Sequence, residues 1–172
     1  MLLAIDTSQM NYSVALSNGW HTEWSDVQIT LYDQLKSQDL SSLSGIVINI
    51  GPGRFSGLRS GIAFAKGLAT AMNIPIYTVN QFDLIADLVT DKAFTVILDA
   101  RKGEVYSQTY FDHKPSGEIT LTKTINASNL YGNIAPAKVI KTNASTLMLY
   151  ANKHNLTQNN NPIPIYIRKS VD

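Results

Sequence analysis

The chain contains no cysteine. Disulfides, thiolate zinc sites and cysteine nucleophiles are thereby excluded. Charge is sparse as well: Asp, Glu, Lys and Arg supply 16% of the 172 residues, against about 25% in an average soluble domain. Lys and Arg number 14 and Asp and Glu 13, which leaves a net charge of +1. A dedicated nucleic-acid binder carries a basic excess; this chain has none overall, although a local basic patch stays open. No apolar run approaches the ~20 residues that span a bilayer. Met1-Leu2-Leu3-Ala4-Ile5-Asp6 lacks a basic start, and Asp6 interrupts its apolar stretch. No secretory signal is expected from it, and the chain reads as soluble and cytoplasmic. The three histidines, His21, His113 and His154, show no H-x-x-x-H or H-E-x-x-H spacing, so they make no zinc motif. No serine sits in a G-x-S-x-G elbow.

What the chain does have is apolar side chains, at 44% of residues. That content excludes wholesale disorder, which requires low hydrophobicity and high charge. Leu2 to Ile5, alternating Tyr12 to Leu16, and Trp20 to Trp24 read as three strands of an antiparallel meander. Val27, Leu31 and Leu35 recur every four residues, which predicts a helix over 26–37 capped by Ser25 or Asp26. Ile46 to Ile50 is β-branched between Gly45 and Gly51 and reads as a buried strand. Ser56 stands where an N-cap would, ahead of a helix from Gly57 to Met72. Further along come a strand from Ile74 to Val79, a helix from Phe82 to Leu88 capped by Asn80, and a strand from Phe94 to Leu98. A strand over 104–111 leads through a turn at His113 to Gly117 into a partner strand, Glu118 to Ile125. A short helix around Ser128 to Tyr131, a strand from Lys138 to Lys141 and a helix from Ser145 to Lys153 complete the elements.

Two features invite chemistry. Gly51-Pro52-Gly53-Arg54-Phe55-Ser56-Gly57-Leu58-Arg59 is a glycine-rich loop feeding a helix. Such loops offer backbone N–H groups to anions, but this one lacks the Walker A spacing and its lysine. It serves equally as a tight turn with close packing. The acidic turns Asp6-Thr7-Ser8 and Asp99-Ala100-Arg101 both follow apolar strands. Facing one cleft they would look like an ATPase site, yet the glycines that let backbone wrap phosphates are missing, and Asp after a strand is also an ordinary turn former. Gly57, Gly61, Ala65 and Ala69 form a stripe of small residues on the long helix. Interior glycine costs a helix about 1 kcal/mol relative to alanine, so Gly57, Gly61 and Gly67 together point to something that approaches this backbone closely.

Three blocks, Met1 to Ser8, Gly51 to Ala69 and Asp99 to Tyr106, together closely resemble the TsaB (YeaZ) family of tRNA threonylcarbamoyladenosine biosynthesis proteins. The closing Tyr166-Ile167-Arg168-Lys169 is similar to the tail of that family, whereas 112–160 matches only loosely. The chain is shorter than typical bacterial members, mainly after residue 111. Arg54 stands in place of a small hydroxyl residue, and Ser56 in place of a usual threonine.

The resemblance implies an α/β, actin-like ATPase (ribonuclease H-like) fold of two lobes, each a mixed sheet flanked by helices. The lobes would be residues 1–98 and a shortened 99–172. It implies a non-catalytic scaffold and activator in the complex that installs N6-threonylcarbamoyladenosine at position 37 of ANN-decoding tRNAs. The implied partners are a TsaD-like catalytic subunit and a TsaE-like ATPase, with tRNA met only through the complex and no membrane. It leaves room for a homodimer of the chain alone. No tightly bound cofactor and no catalytic or metal residue is implied, with room left for a nucleotide at the partner interface. The implied interface is the first two helices: Val27, Leu31 and Leu35 on one, and Gly57, Leu58, Gly61, Ile62, Ala65, Leu68, Ala69 and Met72 on the other. The small stripe would let a facing helix approach, or it would pack only on its own sheet. The competing reading is an independent ATPase or small-molecule kinase of the same fold.

Overall fold

The computed structural model describes residues 1–26, 28–125, 127–159 and 161–167. The first five-stranded sheet contains β1 (Leu2–Asp6), β2 (Tyr12–Leu16), β3 (His21–Trp24), β4 (Gly45–Asn49) and β5 (Ile76–Val79), in the order β3-β2-β1-β4-β5. The meander β1-β2-β3 is antiparallel, while β4 and β5 add in parallel. Side chains on a strand alternate between faces, and the sequence uses that alternation twice. Leu3, Ile5, Val14, Leu16, Ile46 and Ile48 point to one face, where they meet α1 (Leu31–Leu35) and α2 (Phe55–Met72). Ala4, Ala15 and Val47 point to the other, where Leu147 and Met148 of α4 (Ala144–Lys153) cover them. Because both faces are covered, β4 is buried along its whole length.

The second sheet contains β6 (Ala93–Asp99), β7 (Val105–Phe111), β8 (Lys114–Thr122), β9 (Leu130–Gly132) and β10 (Lys138–Val139), in the order β10-β9-β6-β7-β8. Its core is Phe94, Val96, Leu98 and Tyr110 against Phe82, Ile85 and Ala86 of α3 (Gln81–Ala86). Leu84 of the same short helix packs on the α4-covered face of the first sheet, with Ala4, Val47 and Leu147. Asn80 caps α3 as expected, accepting from Asp83 N.

The chain therefore has the expected α/β organisation of two mixed sheets flanked by helices. Several expected boundaries move. Thr30, not Ser25 or Asp26, caps the first helix: its hydroxyl accepts from Asp33 N and the Asp33 carboxylate accepts in return. Asp26 instead accepts from Gln28 N and closes a turn, so α1 is one short turn and a half. The α2 N-cap position is Arg54, with no side-chain cap, and Ser56 already lies in the helix. The hairpin between β7 and β8 turns at Asp112-His113, both in the left-handed region, as a two-residue hairpin loop requires. Gly117, expected in that turn, lies inside β8, where its carbonyl accepts from Gln108 Nε2. The expected helix near Ser128 is strand β9, because 130–132 pairs in parallel with Thr95 to Ile97. The lobe boundary expected at 98/99 falls at the end of β6, the central strand of the second sheet. Beyond it, α4 crosses back onto the first.

Candidate functional site

The first acidic turn is a closed hydrogen-bond network. Asp6 is 1% exposed. One carboxylate oxygen accepts from Ser8 N (2.9 Å) and Ser8 Oγ (2.6 Å), and the other accepts from Asn49 Nδ2 (3.2 Å). Burial pushes the Asp6 carboxyl above the usual carboxylate range, against the lowering effect of these donors. Asn49 Nδ2 also donates to Gln81 Oε1, Asn49 Oδ1 accepts from Gly51 N, and Gln81 Nε2 donates to Thr142 Oγ1. The ends of β1 and β4, the start of α3 and the approach to α4 are thus tied together at one point.

The second acidic turn is open. Asp99 accepts from Arg101 N at 2.8 Å, and the Arg101 guanidinium lies 3.6 Å from the same carboxylate. Arg101, Lys102 and Gly103 are three successive residues in the left-handed region. Between the two turns lies a cleft of about 610 Å³. One wall is Ser8 to Met10 and Gly53 to Ser56; the other is Asp99 to Arg101, Tyr106 and Asn133. The two turns do face one cleft, but only Asp99 presents its carboxylate there. Among the described residues, no group of three or more His, Asp or Glu side chains could hold a metal ion.

The glycine-rich block packs on the first turn. Arg54 N donates to Ser8 O at 2.7 Å, and Thr7 Oγ1 donates to Gly57 O at 2.8 Å. A Cβ on Gly57 would collide with the Thr7 carbonyl, and one on Gly61 with the Thr7 hydroxyl. Close approach to this helix is therefore real, but the approaching group is the chain's own β1 turn. Of the expected interface residues, Gly57, Leu58, Gly61, Ile62, Ala65 and Ala69, with Leu31 and Leu35, are buried within the fold, and of these Leu35 also lines the groove described below. Leu68 and Met72 are half-buried at the edge of the same core. Val27 lies outside the described residues.

The surface that remains is a groove between α1 and α2. It has a volume of about 540 Å³ and is lined by Tyr32, Leu35, Lys36, Gln38, Leu40, Phe64, Gly67, Leu68 and Ala71. Tyr32 is 65% exposed. A Cβ on Gly67 would meet nothing. Sequence reasoning missed Tyr32, Leu40, Phe64 and Ala71, and grouped Gly67 with Gly57 and Gly61 although nothing lies against it. The available signal was Gly67 itself: it lies off the small stripe, so the packing that explains Gly57 and Gly61 does not explain it.

The histidines are separate. His21 is exposed on β3, His113 contacts the Ala86 carbonyl, and His154 lies 2.8 Å from Asp87. At the start of α2, Arg59 stacks on Phe55, its guanidinium carbon 3.8 Å from the ring centre, and donates to Tyr166 Oη at 3.0 Å. Among the described residues, no helix is long and apolar enough to cross a membrane.

Comparison with known proteins gives a consistent pattern. Residues 28–166 match the family model of TsaD, tRNA N6-adenosine threonylcarbamoyltransferase. The chain is similar to the tRNA threonylcarbamoyladenosine biosynthesis protein TsaB of Escherichia coli, at 32% identity over 132 residues, covering 63% of this chain and 54% of that protein. It is also similar to TsaB of Bacillus subtilis, at 40% identity over 70 residues, covering 40% of this chain and 31% of that protein. An uncharacterized Mycobacterium tuberculosis protein is 36% identical over 89 residues, covering 52% of this chain and 40% of that protein. The chain thus spans from about a third to about half of the length of these curated relatives. Among solved structures, an uncharacterized protein with similarity to peptidase YEAZ from Pseudomonas aeruginosa superposes with TM-score 0.72 at 22% identity, covering 97% of this chain and 99% of that one. YeaZ from the same organism gives TM-score 0.69 at 23% identity, covering 96% and 99%. At these identities the structures establish the shared fold alone; together with the TsaD family match, that fold is the actin-like, ribonuclease H-like arrangement.

Proposed function

This chain belongs to the TsaD family and, within it, to the TsaB/YeaZ members, and from that membership we propose that it is a non-catalytic scaffold subunit in tRNA threonylcarbamoyladenosine synthesis. In this reading it binds and activates a TsaD-like catalytic subunit. A TsaE-like ATPase joins the complex, and tRNA is met only there, at position 37 of ANN-decoding species.

The observation that carries the reading is the apolar groove between α1 and α2. The groove sets the apolar Tyr32, Leu40, Phe64 and Leu68 beside the polar Lys36 and Gln38, the composition of an interaction site. The groove wall is a helix with ridges of Phe64, Leu68 and Ala71, and bare backbone at Gly67, suited to the ridge of a second helix. The family's interface on the first two helices is kept in this proposal. Its residues become Tyr32, Phe64, Gly67, Leu68 and Ala71, in place of the buried stripe. A second copy of the chain competes for the same surface when no partner is present. The non-catalytic part of the proposal is supported by Asp6, whose carboxylate is held by Ser8 and Asn49 beneath the cleft.

Light scattering after size exclusion tests this, with the chain alone and mixed with its cognate TsaD-like subunit. Gly67→Arg and Leu68→Asp are expected to abolish the heterodimer while leaving the thermal melt cooperative. Gly67→Ala is expected to keep it. Complexes that survive both disruptive variants would overturn the assigned surface. ATP turnover by the purified chain would overturn the non-catalytic reading in favour of an independent ATPase or kinase.

A further inference from the structure

β5 ends the first sheet, so one of its edges has no strand of that sheet beside it. Open edges are templates for further pairing. The C-terminal segment fills this one. Tyr77 stands opposite Gln158 in an antiparallel bridge, and Asn159 N donates to Ile76 O at 2.8 Å. The segment then turns towards α2. Asn161 Oδ1 accepts from Lys66 Nζ at 2.7 Å, and Ile165 N donates to Ile50 O at 2.9 Å. The Tyr166 ring lies 5.3 Å from that of Phe55, and its hydroxyl accepts from Arg59 Nε.

This docking is polar and incomplete. Among the described residues after α4, one bridge to β5 is the only strand-like pairing. A cavity of about 610 Å³ remains between the segment and the end of α2, lined by Lys66, Thr70 and Asn73 on one side and Gln158 and Asn161 on the other. Apolar contact comes at the two ends, where Leu156 packs on the α4-covered core and Ile167 on the core of the second sheet. A segment held by a few backbone and amide bonds over a polar hollow opens at lower cost than the strands beneath it.

The trench between β5 and α2 has the parts of a peptide site. A strand edge pairs with any extended main chain, and side chains beside it select the sequence. Here Lys66 meets an amide and Arg59 a tyrosine. Lys66, Thr70 and Asn73 run along the flank of α2 opposite Phe64, Leu68 and Ala71, so the trench is separate from the groove between α1 and α2.

We infer that this trench is a peptide-binding site occupied in cis by the C-terminal segment, and that its occupant in trans is the same segment of a second copy. The seat identifies the occupant: the trench already fits this sequence, and exchange of an identical element between copies requires no new contact. A short tether holds the cis segment at an effective concentration of about a millimolar. Exchange is therefore expected near that concentration, or when cis docking is broken.

Two measurements test this. In the first, a peptide of residues 155–167 is titrated into the full chain carrying Asn159→Pro and Tyr166→Ala, and amide signals are followed by NMR. These substitutions strip the segment of a backbone donor and a ring and leave the trench intact. The peptide is expected to shift Ile50, Ile76 and Lys66, and to require at least tenfold more peptide with the wild type. Adding Arg59→Ala should weaken it about fivefold or more, since a hydrogen bond and a cation–π contact are lost. No binding at millimolar peptide, equal binding to wild type and variant, shifts confined to Phe64 and Leu68, or indifference to Arg59→Ala would overturn the inference. So would an Ile165 amide that stays as protected in the variant as in the wild type, because the named contacts would then not hold the segment.

The second measurement uses the absence of cysteine. In the full chain with Tyr77→Cys and Gln158→Cys, any disulfide reports this contact alone. Directly opposed positions on antiparallel strands are within disulfide reach. Oxidation is expected to give an internal bond at micromolar protein and covalent dimers at millimolar. Absence of dimers at millimolar protein would overturn the second copy as occupant. Both results should persist with Gly67→Arg and Leu68→Asp, so failure of the scaffold proposal is read in a different experiment.

Discussion

The hydroxyl of Thr7 donates to the carbonyl of Gly57 across 2.8 Å, and the same hydroxyl fills the space that a side chain on Gly61 would occupy. One threonine thereby sets the distance between the end of β1 and the first two turns of α2. The two glycines are needed because the β1 turn lies against the helix backbone.

Glycine substitutions on α2 should therefore separate by sign. Gly61→Ala must move Thr7 or the helix, and overpacking of this kind costs about 1–3 kcal/mol. Gly57→Ala meets a backbone carbonyl, which yields less than a side chain, and should cost more. Gly67→Ala meets open space and should stabilise by up to about 1 kcal/mol from helix propensity. Urea midpoints of the three variants check this, and equal losses at all three positions would contradict it.

Asp6 predicts an unusual pH dependence. Burial, the largest effect, raises its folded-state pKa above the ordinary carboxylate value. The folded state then holds the proton to higher pH than the unfolded chain does. The associated stability is complete below the unfolded pKa and is lost as pH rises through the folded one. The melting temperature of the wild type relative to Asp6→Asn should accordingly fall as pH rises above the ordinary carboxylate range. A flat or rising difference would show that the carboxylate is ionised at no cost.

Asp87 works in the opposite direction. Burial raises its carboxyl, but hydrogen bonds from Lys153 (2.6 Å) and His154 (2.8 Å) and their charges outweigh burial and hold it low. Its contribution is present above the unfolded pKa of 3.8 and is lost as pH falls through the lowered folded value. Lys153 is 61% exposed, so Lys153→Ala should cost no more than about 1 kcal/mol at neutral pH. That loss should vanish in acid. Chemical denaturation at two pH values measures both.

Leu147 anchors α4 on the first sheet and is fully buried. Leu147→Ala should cost about 2–5 kcal/mol, as cavities in close-packed cores do. Because α4 covers Ala4, Ala15 and Val47, protection of β1 and β4 amides in hydrogen exchange should fall together with it. Loss confined to α4 would mean that the helix docks as an independent unit.

Local patterns were legible in the chain and long-range ones were not. The alternation of Leu3 and Ile5 against Ala4 and the β-branched run at Ile46 to Ile48 specify strands by themselves, and Asn80 specifies a helix start. The Asp112-His113 turn was hidden because neither residue is glycine, while Gly117 a few residues later offered a stronger but misleading signal. The first helix was overextended because Val27 continues the spacing of Leu31 and Leu35, while the reciprocal bonds of Thr30 and Asp33 decide the start. The small stripe marks a site of close approach in the sequence as in the fold. Its partner, Thr7, is 50 residues away in sequence, and spacing cannot tell an internal neighbour from an external one. The return of α4, where Ala144 N donates to Ser13 Oγ, left no local trace at all.

That return also sets an order of events during synthesis. Ala4 and Ala15 leave the ribosome early, but Leu147 and Met148, which cover them, are translated more than a hundred residues later. At about 5–20 residues per second, the second face of the first sheet waits roughly 7–30 s for its cover. Throughout that interval the nascent chain carries an apolar sheet face with nothing of its own to hide it, and a holding chaperone that binds apolar surface has its natural window there.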